Sequence, residues 1–145
     1  MPTTSRLRKV VLIDDNETTN FLNERLLNRL GVTDEVEVFV DANEGFRHVW
    51  GSANLPRPEL VFVDLRMPGI DGIEFLELYR SLSPNVRAHT KLAILTTSML
   101  PSDRARVAAY PEVDYLVKPL SREKIERLLA DHFPHVELVS AVPAA

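Results

Sequence analysis

Residues 60–72 read Leu60-Val61-Phe62-Val63-Asp64-Leu65-Arg66-Met67-Pro68-Gly69-Ile70-Asp71-Gly72, and their change of character along the chain decides the fold. Four consecutive apolar residues, rich in β-branched side chains, describe a strand buried on both faces, which is the signature of a central parallel strand. The run ends abruptly at Asp64. A Pro-Gly turn follows. Beyond it Ile73, Leu76, Tyr79 and Leu82 recur at helical spacing, in a helix that stops before Pro84. The stretch is therefore one strand-loop-helix unit with a carboxylate at the carboxyl end of its strand.

The same unit recurs in both directions. Upstream, Val10-Val11-Leu12-Ile13 ends in Asp14-Asp15, and a helical stripe of Phe21, Leu22, Leu26, Leu27 and Leu30 runs to Gly31, placed where a C′ glycine stops a helix. Glu35 to Val40 alternates polar with apolar, as a strand near a sheet edge does. Asp41-Ala42-Asn43-Glu44 has capping-box spacing and opens a helix carrying Phe46, Val49 and Trp50 to about Gly51. A loop spans Ala53 to Pro58. Downstream, Leu92-Ala93-Ile94-Leu95 ends in Thr96, and Pro101 suits the first turn of a short helix through Ala109. The last strand, Val113 to Val117, ends in Lys118-Pro119, and Ser121 caps a final helix bearing Ile125, Leu128 and Leu129. Five strands alternating with five helices predict an α/β three-layer sandwich around a parallel sheet.

Composition narrows the function. The 145 residues make one domain, the body to residue 132 and a tail over 133–145, a remnant too short for an output module. There is no cysteine, so thiol chemistry, Fe–S clusters and zinc knuckles are excluded. Five glycines form neither a dinucleotide fingerprint nor a P-loop. A net charge of −4 argues against a nucleic-acid binder, and the longest apolar runs are too short for a membrane span or a signal peptide. The expected location is cytoplasmic.

In open parallel sheets ligands bind beyond the carboxyl ends of the strands. Those ends carry Asp14 and Asp15, Asp64, Thr96 and Lys118, while Asp41 is spent on capping. Carboxylates about 4 Å apart repel by roughly 4 kcal/mol per pair at an effective dielectric near 20. They must take up protons or bind a cation. Lys118 supplies one positive charge, and a hard divalent ion, Mg²⁺ with Mn²⁺ as the alternative, removes the remaining deficit. The four histidines, His48, His89, His132 and His135, fall away from this rim. Cation, ammonium and hydroxyl together are equipment for stabilising a phosphoryl group in transfer, with Asp64 the natural nucleophile.

Ile13-Asp14-Asp15-Asn16, the Asp64-to-Gly72 block, Leu95-Thr96 and Tyr115-Leu116-Val117-Lys118-Pro119 together resemble response-regulator receiver domains, from about Arg8 to Asp131. The resemblance implies a flavodoxin-like (βα)5 fold with strand order 2-1-3-4-5. It implies that Asp64 accepts a phosphoryl group from a phosphohistidine on a sensor histidine kinase or phosphotransfer protein. Asp15 would hold Mg²⁺ directly, Asp14 mainly through water, and the backbone carbonyl of Arg66 would be a further ligand. Thr96 would hydrogen-bond the phosphoryl group, Lys118 would pair with it, and Tyr115 would be the aromatic that turns inward as Thr96 moves. The side chains at Arg66 and Ser98 stand where the family tunes phosphoryl lifetime. The Lys118-Pro119 bond is commonly cis in the family.

The module implied is a switch or relay acting on an unknown downstream protein, as a monomer or a phosphorylation-dependent dimer, rather than an enzyme turning over a separate substrate. Phosphatases of the haloacid-dehalogenase type use similar equipment but carry D-x-D at the first strand, where this chain has Asp14 followed two residues on by Asn16. A pseudo-receiver that binds partners without phosphorylation is the third alternative, against which the complete set of five rim residues weighs.

Overall fold

A computed structural model describes residues 5–51 and 57–138. Residues 1–4, most of the loop expected from Ala53 to Pro58, and the tail from 139 onward lie outside the described residues. The elements run β1 (Val10–Ile13), α1 (Glu17–Leu30), β2 (Val36–Phe39), α2 (Ala42–Trp50), β3 (Leu60–Val63), α3 (Gly72–Arg80), α4 (Pro84–Arg87), β4 (Lys91–Thr96), α5 (Pro101–Ala108), β5 (Asp114–Val117) and α6 (Arg122–His132). All five strands are parallel, in the order β2-β1-β3-β4-β5.

Period-two side-chain alternation on the three central strands divides the core into two layers. Val11, Ile13, Val61, Val63, Leu92 and Ile94 face α2, α3 and α5, where they meet Val49, Trp50, Phe75, Leu76, Tyr79 and Val107. Val10, Leu12, Leu60, Phe62, Ala93 and Leu95 face α1 and α6, where they meet Leu27, Leu30, Ile125, Leu128 and Leu129. Beyond α6, Val136 is buried in this second layer, with Phe133 and Leu138 packed against it. Trp50 and Phe46 pack with Phe75 and Tyr79, ring to ring.

The helix ends follow their local chemistry. Asn16 caps α1 by accepting the Thr19 N–H at 2.9 Å, and Gly31 closes it in the left-handed region at φ 67°. Asp41 caps α2, and Asp71 with Glu74 forms a full capping box on α3. Two expectations are corrected. A sixth helix, α4, forms where Ser83 caps and Pro84 occupies the first turn, the pairing that starts a helix as readily as it ends the previous one. The buried face of α1 is Asn20, Asn23, Leu27 and Leu30, while Phe21 and Leu22 are 60% and 56% exposed. The sheet-facing side of the first two turns is thus polar, and counting apolar residues misplaces it.

Candidate functional site

The register places the rim residues. Ile13 pairs with Val63, so Asp14 and Asp64 leave neighbouring strands side by side, with the Asp64 N–H donating to the Ile13 carbonyl at 3.0 Å. Carboxylate oxygens of Asp14, Asp15 and Asp64 all lie within 4.8 Å of one another. Asp14 and Asp64 are 5% and 9% exposed, whereas Asp15 faces solvent. On the other side Thr96 pairs with Val117, and the Lys118 N–H donates to the Thr96 carbonyl at 2.7 Å. From there Lys118 reaches past the end of β4 to the carboxylates that follow β3 and β1. Its Nζ donates to Asp14 Oδ2 at 2.6 Å and to Asp64 Oδ2 at 3.3 Å. Its peptide bond to Pro119 is cis.

The charges set the protonation chemistry. Burial pushes the Asp64 carboxyl above the usual carboxylate range, and the Asp14 charge adds to it; Lys118 and the Arg66 N–H pull back without cancelling the rise. Burial by itself would lower the Lys118 ammonium, but its hydrogen bond to Asp14 and the charges of Asp64 and Asp14 hold it above its ordinary value. One ammonium among three carboxylates leaves a local excess of negative charge. Oxygen-only donors at this separation, with no cysteine or histidine among them, fit a hard divalent cation.

Three further residues support the site, and for two of them, Asn20 and Asp103, no local sequence signal points to the role. Asn20 on α1 donates through Nδ2 to the Asp14 carbonyl at 2.7 Å and holds the end of β1 in place. Gly72 lies so close to the loop that a Cβ there would stand 2.7 Å from both the Asp64 carbonyl oxygen and Leu65 Cα. Asp103, buried in the first turn of α5, receives the Arg66 guanidinium at 2.6 Å and the Ser98 hydroxyl at 2.5 Å.

This site stands where open parallel sheets place their ligands, and a family model described as the response regulator receiver domain matches residues 10–130. The chain belongs to the response regulator receiver family. The receiver is 33% identical over 126 residues to the probable methanogenesis regulatory protein FilR2 of Methanothrix harundinacea, covering 84% of this chain and 79% of that one. It is 29% identical over 134 residues to Protein PilG of Pseudomonas aeruginosa, covering 92% and 93%. In structure it is similar to a two component response regulator from Cytophaga hutchinsonii, with a TM-score of 0.76, 26% identity and coverage of 88% and 97%. Among longer relatives the chain spans as little as 16% and 14% of their length.

Not every rim residue of this receiver meets the carboxylates. Thr96 is fully buried at the end of β4, and its hydroxyl accepts the Ser98 N–H at 3.2 Å. Tyr115, half-buried on β5, donates its hydroxyl to the Ser98 carbonyl at 2.8 Å, with the Arg104 guanidinium 4.7 Å above its ring. The Arg66 side chain points to Asp103, and its backbone N–H donates to Asp64 Oδ1 at 3.5 Å. Of the histidines, His48 meets Glu37 on β2 at 3.1 Å, and His132 meets Asp114, at the amino end of β5 and so away from the carboxyl-end rim, at 2.9 Å.

Proposed function

We propose that Asp64 is the phosphoacceptor of a Mg²⁺-dependent two-component or phosphorelay switch, with a histidine kinase or histidine phosphotransfer protein as donor. The observation that carries this reading is the Lys118 ammonium bridging Asp14 and Asp64 inside a three-carboxylate cluster. An Asp64 oxygen attacks phosphorus, the P–N bond to the donor imidazole breaks, and its electron pair stays on the ring nitrogen, which takes a proton if it was not already the neutral leaving group. Asp14, Asp15 and Asp64 would hold the cation, with the Arg66 backbone carbonyl as a further ligand. When bound, the cation supplies positive charge against the oxygens of the transferring group. Lys118 exchanges part of its bond with the carboxylates for the phosphoryl oxygens.

Thr96 is the hydroxyl that turns to the new group, and Tyr115, already joined to the loop after Thr96 through Ser98, follows it. Residues 1–132 form the receiver unit in this reading, with 133–145 as its tail, acting on a downstream protein as a monomer or a phosphorylation-dependent dimer. No helix among the described residues is long and apolar enough to cross a membrane. The exposed Phe21 and Leu22 fit contact with a donor helix, since Leu22 lines a groove of about 370 Å³ with Thr19, Lys118, Pro119 and Leu120.

Incubation with Mg²⁺ and acetyl phosphate tests the assignment. A base-labile label that disappears in Asp64→Asn is expected. Label that persists in Asp64→Asn, or turnover of many simple phosphoesters as a phosphatase would give, overturns it.

A further inference from the structure

Arg66 and Ser98 flank the site from two different loops, and both end on one buried carboxylate. Arg66 follows β3 and Ser98 follows β4, yet the guanidinium and the hydroxyl converge on Asp103 Oδ2. Ser98 in turn binds the switch residues on its other sides. Its N–H donates to the Thr96 hydroxyl, and its carbonyl accepts the Tyr115 hydroxyl. It also accepts the Leu100 N–H at 3.3 Å, immediately before α5 begins. The connected path therefore runs from Asp64 through Arg66 to Asp103, and from Asp103 through Ser98 to Thr96, Tyr115 and the start of α5.

The two ends of the Arg66–Asp103 pair are held very differently. Asp103 is 4% exposed at its side chain, whereas Arg66 is 63% exposed although paired. The carboxylate is fixed, and the arginine is a solvated arm resting on it. The Ser98 hydroxyl, then Arg66, holds the Asp103 carboxyl below the usual carboxylate range, so it is an anion at neutral pH with two donors to satisfy it.

We infer that Asp103 is a positioning residue that parks Arg66 away from Asp64, and that phosphorylation draws Arg66 off it, loosening Ser98 and the start of α5. The inference rests on Asp64 being the phosphoacceptor. A phosphoryl group two residues before Arg66 brings about −1.5 to −2 charge and three strong acceptor oxygens. Asp103 offers one charge, and the oxygen that Arg66 uses is shared with Ser98. Planar guanidinium donors favour the richer anion. Once Arg66 leaves, Asp103 keeps only the neutral Ser98 hydroxyl of these two donors. The buried anion is then less well satisfied in its resting place. The bonds from Ser98 to Leu100 and Tyr115 loosen with it. The phosphoryl group thus reaches the α5 surface by a second route besides the movement of Thr96, a two-position element biased by one charge.

The test compares the intact chain with Asp103→Asn, Arg66→Gln and the double variant. Side-chain NMR of Arg66 and amide shifts of Ser98, Leu100 and Tyr115 are recorded with and without beryllofluoride and Mg²⁺, alongside acetyl phosphate labelling. The Arg66 signal of the wild type is expected to move on beryllofluoride. Without it, both single variants should shift the three amides part of the way along the wild-type response, and the double variant no further than either single one. Labelling should quicken on the order of fivefold in Asp103→Asn, which frees the arginine, and not in Arg66→Gln, which deletes it. A merely structural Asp103 would not produce that split. Wild type that labels on Asp64 while Arg66 stays still and the variants add independently overturns the parking role and leaves the receiver reading intact. Wild type that takes no label overturns the phosphoacceptor reading and this inference with it. Should Asp103→Asn fail to fold, the exposed Arg66→Gln decides through the wild-type-like amide response alone: movement supports the parked arm, and none refutes it.

Discussion

The side-chain amide of Asn20 donates to the backbone carbonyl of Asp14 at 2.7 Å, so the first turns of α1 hold the chain at the point where β1 delivers its carboxylates. Asn20 is 2% exposed, and Asn→Ala there leaves a buried carbonyl without its donor. The expected loss is about 1–3 kcal/mol, read as a lower urea midpoint with an unchanged slope. Because the bond orients the segment proposed to hold the cation, Mg²⁺ affinity should fall by about 10- to 100-fold. Equal stability and equal affinity would show that Asp14 is held by the sheet alone.

Asp64 makes the metal-free protein sensitive to pH in a definite direction. Its carboxyl is raised by burial and by Asp14, so the folded state holds that proton more tightly than the unfolded chain does. Its contribution to stability is complete below the ordinary carboxylate pKa and is lost as pH rises through the raised value. Asp64→Asn removes the loss. In EDTA at pH 7 the variant should be more stable than wild type, by under about 1 kcal/mol because the rim is partly screened. The difference should vanish in acid. Denaturation curves at several pH values check it, and a variant less stable at neutral pH contradicts the electrostatic account.

Lys118→Met separates attraction from repulsion. Its ammonium is bound at 2.6 and 3.3 Å to two carboxylates that would then face each other without it. Without metal the variant should lose about 1–2 kcal/mol, less than the 3–5 typical of a fully buried pair because the site opens to solvent. With the competing cation gone, Mg²⁺ should bind more tightly than in wild type. Calorimetric titration reads this, and weaker binding would mean that Lys118 orders the ligands rather than competing for them.

Gly72→Ala tests the close approach beneath the loop that follows Asp64. The new methyl meets two backbone atoms of the Asp64–Leu65 peptide unit at 2.7 Å, and backbone cannot swing aside as a flexible side chain does. A cost of about 1–3 kcal/mol is expected, with slower acetyl phosphate labelling as Asp64 shifts. Gly69→Ala is the contrast. Its surroundings are open, but its φ of +81° strains an alanine, so stability should fall without the same effect on labelling.

The parts of the fold visible in sequence are those where one local pattern has one structural meaning. Val10–Ile13 and Leu60–Val63 are apolar on both faces, which only a covered strand tolerates, and Asp14, Asp64 and Lys118 follow strands so directly that parallel pairing brings them together. The strand order came through family resemblance, because spacing does not say which strand neighbours which. Phe21 and Leu22 mislead because helical periodicity records where apolar residues recur, while near the rim α1 turns the Asn20 amide inward to bond backbone. Asp103 was illegible for a different reason. Its partner Arg66 is 37 residues away, and only the folded arrangement of two loops brings them into contact.

Ile13 lying opposite Val63 has one more consequence. Adjacent strands sit about 4.7–4.9 Å apart, so the sheet serves as the ruler for the gap between the Asp14 and Asp64 backbones. Like charges on a loop could drift apart; at these stations they cannot separate without tearing the hydrogen-bond ladder. The protein keeps its electrical tension in its stiffest member and leaves the relief of that tension to whatever cation or phosphoryl chemistry arrives.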